Sequence, residues 1–224
     1  MRLNQFIASS SGLSRRAADA AITEGRVTID GEPAVLGQTV GAENTVTLDG
    51  KALQPKTTYT YLMLNKPAGY ISSRVRQGSD PTLYELIPEP YQTLRITGRL
   101  DRDSSGLILL SDDGSFIQSL AHPSSGKTKQ YDITLSAPLS NTQKNHLAAG
   151  VALSDGPSRV TVLEANGRNV TVTIGEGRNR QLRRTFGALG LGVERLHRTR
   201  IGRINLANLR PGDWRLIAAD EEYI

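Results

Sequence analysis

At the N-terminal end of the chain, apolar residues recur with a helical period. Leu3, Phe6 and Ile7 fall on one face of a first helix. A second helix follows, with Ser14 as its N-cap and Gly25 just past its end. The pattern therefore predicts a pair of short helices at the start of the chain.

Two short strand pairs come next, and each turns on an Asp-Gly dipeptide, at Asp30-Gly31 and Asp49-Gly50. Asp-Gly between apolar runs is a strong hairpin signal, because a two-residue turn needs positive φ at both positions. We predict a small helix-pair and hairpin domain over residues 1–56. The segment QPKTTY would join it to a second domain over residues 59–224.

The second domain mixes strand and helix patterns without a regular alternation. The segments YTYLMLNK, LILLS, KQYDITLS and NVTVTI predict strands, and SNTQKNHLAAG predicts a short helix. A regular βαβ order would have indicated a parallel sheet. The mixture favours an α+β fold with a long mixed, largely antiparallel sheet flanked by helices.

A further helix is predicted after residue 177. Its apolar face would consist of Leu182, Phe186 and Leu189. Arg180 and Arg184 would lie opposite that face and Arg183 at its boundary, from where Arg183 could reach an internal carboxylate. The alternative is an ordinary solvated face of an amphipathic helix.

The stretch GRLDRDSSG crowds arginines and carboxylates just before an apolar strand. In an extended segment Arg99, Asp101 and Asp103 would point to one side. One interpretation is a solvated turn with weak ion pairs. The other is a reactive carboxylate held by arginine, which glycines at both ends, Gly98 and Gly106, favour by allowing a tight bend or a close approach.

Composition excludes several kinds of chemistry. The 224 residues include no cysteine, which rules out disulfides, thiol nucleophiles and cysteine-bound metal. His122, His146 and His197 are scattered singly, so we expect packing or surface roles and no metal site. No run of about 18 apolar residues or signal-peptide pattern occurs, and we expect a cytoplasmic protein without a membrane partner.

The net charge of +5 is unevenly distributed. Between Arg178 and Arg203 there are eight arginines and one acid, Glu194. Arginine binds phosphate bidentately and stacks on bases, so this excess predicts a nucleic-acid partner. Arg15 and Arg16 fall in the first turn of the second helix, where the helix dipole disfavours cations unless an anion is bound; the alternative is that their stems simply lie along the surface.

These motifs resemble two known families. SGLSRRAADAAITEGRVTIDG is similar to the S4 RNA-binding module. The segments NKPAGYISS, GRLDRDSSGLILLSDDG, HPSSGKTKQYDITL and EGRNRQLRRTFGALG, in this order, resemble the bacterial ribosomal RNA pseudouridine synthases that carry such a module, and GDWRLIAADE extends the match. The resemblance implies RNA rather than DNA, and isomerisation of uridine to pseudouridine without a cofactor.

The resemblance also implies the site. Asp101 would act on the ribose as nucleophile or base, Tyr131 would stack on the uracil, and Arg183 would keep Asp101 ionised. Asp103 would be supporting. The expected RNA contacts are Arg15, Arg16, Arg99, Arg178, Arg180 and Arg184.

The sequence indicates less clearly which ribosomal RNA is the target. RNRQLRR favours large-subunit ribosomal RNA, while LHRTRIG is also similar to enzymes of the small subunit, and we expect the large subunit slightly more. The partner would be ribosomal RNA or a subunit assembly intermediate, bound by a monomer. The alternatives are a non-catalytic RNA-binding assembly factor and a glycosidic hydrolase that pairs Asp101 with Asp103.

Overall fold

A computed structural model describes residues 1–121 and 126–218. The chain divides into two compact units, Met1–Tyr59 and Thr60–Ile224. Each unit has its own hydrophobic core. Within the described ranges, no helix is long and apolar enough to cross a membrane.

The first unit is a helix pair followed by a four-stranded antiparallel sheet in the order β2-β1-β3-β4. Its elements are α1 Leu3–Ser11, α2 Arg15–Thr23, β1 Val27–Ile29, β2 Glu32–Pro33, β3 Val46–Leu48 and β4 Lys51–Ala52. The predicted helical face is confirmed, because Leu3, Phe6 and Ile7 are buried. The Ser14 hydroxyl accepts a hydrogen bond from the Ala17 amide at 3.0 Å, which confirms Ser14 as the N-cap of α2.

The two Asp-Gly hairpins are also confirmed. Asp30 and Gly31 have φ of 54° and 90°, and Asp49 and Gly50 have φ of 51° and 74°. Positive φ at both central residues is the conformation that suits the twist of a two-residue hairpin. Local sequence therefore determines these turns directly.

The second unit is built on one large mixed sheet. Its strands are β5 Tyr61–Lys66, β6 Arg95–Thr97, β7 Ser105–Ser111, β8 Lys129–Leu135, β11 Thr161–Asn166, β12 Asn169–Ile174, β13 Val193–Ile201, β14 Ile204–Asn205 and β15 Trp214–Leu216. The order is β11-β12-β8-β13-β7-β5-β15, with β14 on β13 and β6 on β7. Only the pair β13 and β7 is parallel among these described strands, so the predicted mixed, largely antiparallel sheet is confirmed.

Helices and a small hairpin flank this sheet. They are α3 Gly114–Ala121, α4 Asn141–Ala149, the hairpin β9 Val151–Leu153 and β10 Gly156–Ser158, and α5 Gln181–Ala188. Two short 3-10 turns lie at Leu83–Leu86 and Glu89–Tyr91. The predicted helix in SNTQKNHLAAG is α4, which Ser140 caps through a capping box with Gln143.

The core of the second unit is formed by the central strands and α5. Residues 107–110 of β7 are fully buried, as expected for a continuous apolar strand covered on both faces. In β8 every second residue is buried, at Tyr131, Ile133 and Leu135. Leu182 and Phe186 of α5 pack into the same core, as predicted, whereas Leu189 is only partly buried beyond the last helical residue.

Candidate active site

A cavity of about 270 Å³ opens beside the loop that joins β6 to β7. Asp101 lines it from that loop, and Tyr131 lines it from β8. Arg99 also lines it and is otherwise exposed. The cavity lies wholly within the second unit and brings together residues that are far apart in the sequence.

The loop that carries Asp101 is a turn rather than the extended segment that alternation suggested. The Ser104 amide donates to the Asp101 carbonyl at 3.1 Å and closes the turn. Ser72 holds the preceding residue, because its hydroxyl donates to the Leu100 carbonyl at 2.7 Å and accepts from the Leu100 amide at 3.1 Å. Gly98, with φ of 72°, provides the bend that leads into the turn. Asp101 is therefore presented by a backbone with several independent anchors.

Lys66 anchors the other end of the same loop. Its side chain is fully buried at the end of β5, and Nζ donates to the carbonyls of Ser104 and Pro67 at 2.7 and 2.9 Å. Burial lowers the pKa of Lys66 to about 8; the charges of Asp103 and Asp101 oppose this shift, and Arg198 adds to it. Lys66 was not predicted as a site residue, since a single lysine in a strand pattern gives no sign of burial.

At Gly106 the expectation that a flanking glycine permits a close approach is confirmed, because the backbone of β13 lies directly against it. It pairs with Arg198 where β7 and β13 run parallel, and its φ is 108°. A Cβ at this position would lie 2.2 Å from the Arg198 carbonyl oxygen and 2.5 Å from its amide nitrogen. A side chain cannot be accommodated against backbone at that distance, so glycine is required for this strand pairing.

The arginine contacts of the two carboxylates differ from the expectation. We expected Arg183 to hold Asp101, but its Nε lies 3.2 Å from Asp103 and its Nη2 donates to the Asp103 carbonyl at 3.0 Å. Its remaining nitrogen donates to the Val193 carbonyl at 2.7 Å. The tight turn directs Asp103 toward α5, and the Arg183 guanidinium contacts both Asp103 and the Val193 carbonyl.

Arg180 is the arginine that reaches both carboxylates. It donates to the two oxygens of Asp103 at 3.2 and 2.9 Å, and its Nη1 lies 3.7 Å from Asp101. We predicted Arg180 on the polar face of a helix, and this is wrong: it precedes α5 as the N-cap residue in the left-handed region, with φ of 45°. That backbone conformation turns its side chain toward the loop instead of along the helix.

The two carboxylates therefore have different environments. Burial tends to raise the pKa of Asp103, but the hydrogen bond from Arg180 and the charges of Arg183 and Arg180 outweigh it and lower the pKa. Asp101 has only the longer contact with Arg180 among the described ion pairs. Asp103 is thus held by two arginines, while Asp101 has its oxygens available at the cavity.

Two further arginines expected to bind RNA are used within the protein. Arg184 donates to both oxygens of Asp155, at 3.0 and 2.7 Å. Arg178 donates to Asp155 at 2.8 Å and to backbone carbonyls of the β9–β10 hairpin. This corrects the expectation that both guanidinium groups are free for phosphate. Asp155 precedes Arg184 by 29 residues and Arg178 by 23, so sequence spacing does not reveal the pairing.

The remaining candidates from the sequence are two arginines and three histidines. Arg15 and Arg16 are exposed in the first turn of α2. His197 Nδ1 lies 2.9 Å from the Ser105 hydroxyl, and His146 is exposed on α4, whereas His122 lies outside the described residues. No group of three or more potential metal-ligating side chains occurs in the described ranges.

Comparison with known proteins gives consistent matches along the chain. Residues 60–188 match the family RNA pseudouridylate synthase, and residues 1–57 match the S4 domain. The chain is 37% identical over 227 residues to ribosomal small subunit pseudouridine synthase A of Pasteurella multocida (strain Pm70), covering 99% of this chain and 97% of that protein. It is 38% identical over 227 residues to the protein of that name from Escherichia coli (strain K12), covering 99% and 98%.

A solved structure matches over nearly the same length. A crystal structure of a pseudouridylate synthase superposes with a TM-score of 0.71 at 34% identity, covering 97% of this chain and 96% of that chain. The expected preference for large-subunit RNA is wrong, because relatives that match over 96 to 98% of their own length are named for the small subunit. That preference depended on seven residues, RNRQLRR, whose arginines the fold partly uses for internal ion pairs.

Proposed function

The chain belongs to the RNA pseudouridylate synthase family, and on that premise we propose that it converts a uridine of small-subunit ribosomal RNA to pseudouridine. RNA pseudouridine synthase activity follows from the family. The choice of small-subunit RNA is supported by relatives of that name that align along 96 to 98% of their own length. The observation that carries the proposed site is the anchored turn that presents Asp101 to the cavity.

The reaction sets clear demands on such a site. The bond from base nitrogen to ribose must break, the base must turn, and a new bond must form between C5 of the base and the anomeric carbon. The target base must first leave its stack, because side chains cannot reach the sugar of a paired nucleotide in the required way. An open cavity lined by a carboxylate and an aromatic ring meets these demands.

We assign Asp101 to the ribose. Its carboxylate either attacks the anomeric carbon or removes the neighbouring C2′ proton. Both roles need an ionised carboxylate with a free oxygen in a fixed position. The longer Arg180 contact, at 3.7 Å, supplies a nearby cation without occupying both oxygens, and the contacts of Ser72 and Lys66 fix the loop.

Tyr131 and Arg183 have different assignments. Tyr131 is buried at the cavity wall, where its ring stacks on the flipped uracil. Arg183 acts through Asp103 rather than on Asp101, and so we assign it as a positioning residue for the loop. Asp103 is the link between this loop and the N-terminal end of α5.

RNA binding is assigned to exposed cations and to the S4 unit. Arg15 and Arg16 lie beside the free amides of the first turn of α2, which favours a phosphate. Arg99 lies at the cavity and would contact the target strand. We further propose that the protein acts as a monomer in the cytoplasm, on small-subunit RNA or on an assembly intermediate that contains it.

Tritium at C5 of uridine tests the proposal, because that hydrogen is lost when the carbon becomes the attachment point to ribose. Small-subunit RNA, large-subunit RNA and partly assembled small-subunit particles, all carrying the label, are incubated with the protein. We expect release from one of the small-subunit substrates and none from large-subunit RNA. Binding without release would instead support the non-catalytic assembly factor, and release from large-subunit RNA alone would contradict the target.

A further inference from the structure

Arg198 is the most deeply buried charged side chain at the cavity that the proposed mechanism does not use. It lies on β13 and is 2% exposed. Its Nε donates to the Leu107 carbonyl at 2.8 Å, while its Nη2 is buried without a hydrogen-bond partner among the described residues. A guanidinium has five N–H donors and cannot lose its proton in a protein, so this side chain is both charged and under-satisfied.

The ion pairs that the acidic groups around the cavity make are with arginines other than Arg198. Asp101 and Asp103 contact Arg180, and Glu176 contacts Gln181 and lies 3.1 Å from Arg178. No described ion pair includes Arg198. Because an unpaired buried charge is costly, a cation placed here is best explained by an anionic group that enters the cavity.

Lys129 also lines the cavity, and the buried Lys66 is close enough to Arg198 for their charges to interact. Arg198 contributes to lowering the pKa of both lysines, although burial is the larger cause in each case. Lys66 already donates to two carbonyls, and so it is satisfied as an anchor. Arg198 differs from Lys66 because it has a buried donor that nothing in the described protein accepts.

The position of Arg198 relative to Tyr131 indicates which part of the substrate it faces. The two residues are paired directly across the antiparallel strands β13 and β8. Directly paired residues point to the same face of a sheet, with Cβ atoms about 4.5 to 5.5 Å apart. A uracil that stacks on Tyr131 would therefore present its edge to the Arg198 guanidinium.

We propose that Arg198 is a catalytic residue that stabilises the negative charge on the uracil when its bond to ribose breaks. The bonding pair of the C1′–N1 bond goes to N1, so that the detached base carries one negative charge, shared among N1, O2 and O4. The electron-deficient C1′ is then captured by Asp101 or relieved by loss of the C2′ proton. After rotation, C5 bonds to C1′ as the Asp101–C1′ bond breaks or, on the other route, as C2′ regains its proton. C5 then loses its proton and N1 gains one, and no oxidant or reductant is needed.

This inference rests on the proposed function, in which Asp101 and Tyr131 enclose the target uridine. A donor aimed at charge that develops in the transition state affects the rate constant more than RNA affinity. A phosphate of the same nucleotide has similar oxygen chemistry but carries its charge before the reaction. Contact with that phosphate would instead change RNA affinity, so the two sources can be separated.

The test uses the full-length protein and C5-tritiated small-subunit RNA in single-turnover reactions at saturating protein. Arg198→Gln retains a donor for the Leu107 carbonyl but loses the charge, whereas Arg198→Lys retains the charge. We expect Arg198→Gln to lower the rate constant by about 100- to 1000-fold, and Arg198→Lys to be at least about tenfold faster than Arg198→Gln. RNA affinity should stay within about threefold of the wild-type value in both.

Arg168→Met is the matched control, because Arg168 is exposed, pairs with Glu194 and lies away from the cavity lining. It should retain the wild-type rate. If Arg198→Gln does not fold, Arg198→Met, which retains an apolar stem, carries the same expectation. A wild-type rate in the charge-free variant, a loss seen only as weaker RNA binding, or equal rates for the Gln and Lys variants would each overturn the assignment.

Failure of the inference can be distinguished from failure of the proposed function. If wild-type protein and Arg168→Met release tritium while Arg198→Gln does so equally fast, only the role of Arg198 is wrong. If none of the proteins releases tritium from small-subunit RNA or its assembly intermediates, the proposed target is wrong and the role of Arg198 in that reaction is overturned with it.

Discussion

Two clusters of arginine and aspartate in the second unit show how similar residues take different roles. In one cluster, Arg178 and Arg184 share Asp155, and both oxygens of that carboxylate are occupied at 2.7 to 3.0 Å. In the other, Arg180 and Arg183 hold Asp103 while Asp101 keeps one contact of 3.7 Å. A saturated carboxylate can only anchor, whereas a carboxylate on an anchored loop with an available oxygen can react.

The two clusters also differ in what surrounds them. Asp155 lies in the turn of the β9–β10 hairpin and does not line the cavity. Asp101 lines the cavity together with Tyr131. Arginine around a carboxylate is therefore no evidence of a reactive site by itself. The cavity beside Asp101 makes the difference. Three substitutions and one pH series test this contrast.

The largest effect is expected from Asp101→Asn. The amide retains the size and much of the hydrogen bonding of the side chain but loses the charge that a nucleophile or base needs. We expect tritium release to fall by at least about a thousandfold, with RNA affinity nearly unchanged. Tritium release near the wild-type rate would show that the crowded ions of GRLDRDSSG are only a solvated turn.

Asp103→Asn should have an intermediate effect. It weakens the contacts with Arg180 and Arg183 that join the loop to α5. Because a small displacement of a catalytic group is costly, we expect tritium release to fall by about 10- to 100-fold while the protein stays folded. A loss as large as that of Asp101→Asn, measured in the same single-turnover reaction, would mean that Asp103 takes part in the chemistry.

Asp155→Asn should affect stability rather than rate. It weakens two ion pairs that are partly exposed, and pairs of this kind contribute little to stability. We expect the Tm to fall by about 2 to 4 °C in a thermal melt, and tritium release to stay within about twofold. A strong loss of turnover at a temperature where the variant is folded would contradict the purely structural role of this cluster.

The smallest expected effect is the pH dependence of the stability that ionised Asp103 provides. The pKa of Asp103 is lowered, with the Arg180 hydrogen bond and the nearby charges outweighing burial. Since the folded pKa lies below the unfolded value of about 3.9, ionised Asp103 stabilises the fold above about pH 4. This contribution is lost as the pH falls through the folded value.

Thermal melts of wild-type and Asp103→Asn protein between pH 3 and pH 7 would measure this contribution. The difference in Tm should be constant from about pH 5 to pH 7 and should shrink on acidification. A difference that grows as the pH is lowered would have the wrong sign for a carboxylate with a depressed pKa.

Much of the fold follows from local sequence signals. The helix face of Leu3, Phe6 and Ile7, the Ser14 cap and the two Asp-Gly turns are short-range features, because each depends on residues within one or two turns of chain. The mixed sheet also follows from the order of strand and helix patterns. The identity of each strand's neighbours does not follow from that order, since pairing and register depend on contacts between distant segments.

Parts of the candidate site were predictable because motifs place them. Asp101 and Tyr131 were expected from the sequence, and the structure brings both to one cavity. The roles of the arginines were less predictable: Arg183 was expected on Asp101 and contacts Asp103, because a turn rather than an extended segment orients the two carboxylates. Arg178 and Arg184 were expected on RNA but pair with Asp155.

Periodicity, turn chemistry and ordered motifs in the sequence were enough to predict the local elements, the family of the chain and Asp101 as the candidate carboxylate. The pairing of each arginine with its carboxylate, the need for glycine at position 106 and the burial of Lys66 and Arg198 depend on the tertiary structure. The physical reason is that burial and ion pairing arise where separate strands meet. β13 pairs with β7 and β8 at Arg198, and no local pattern in LHRTRIG specifies that meeting.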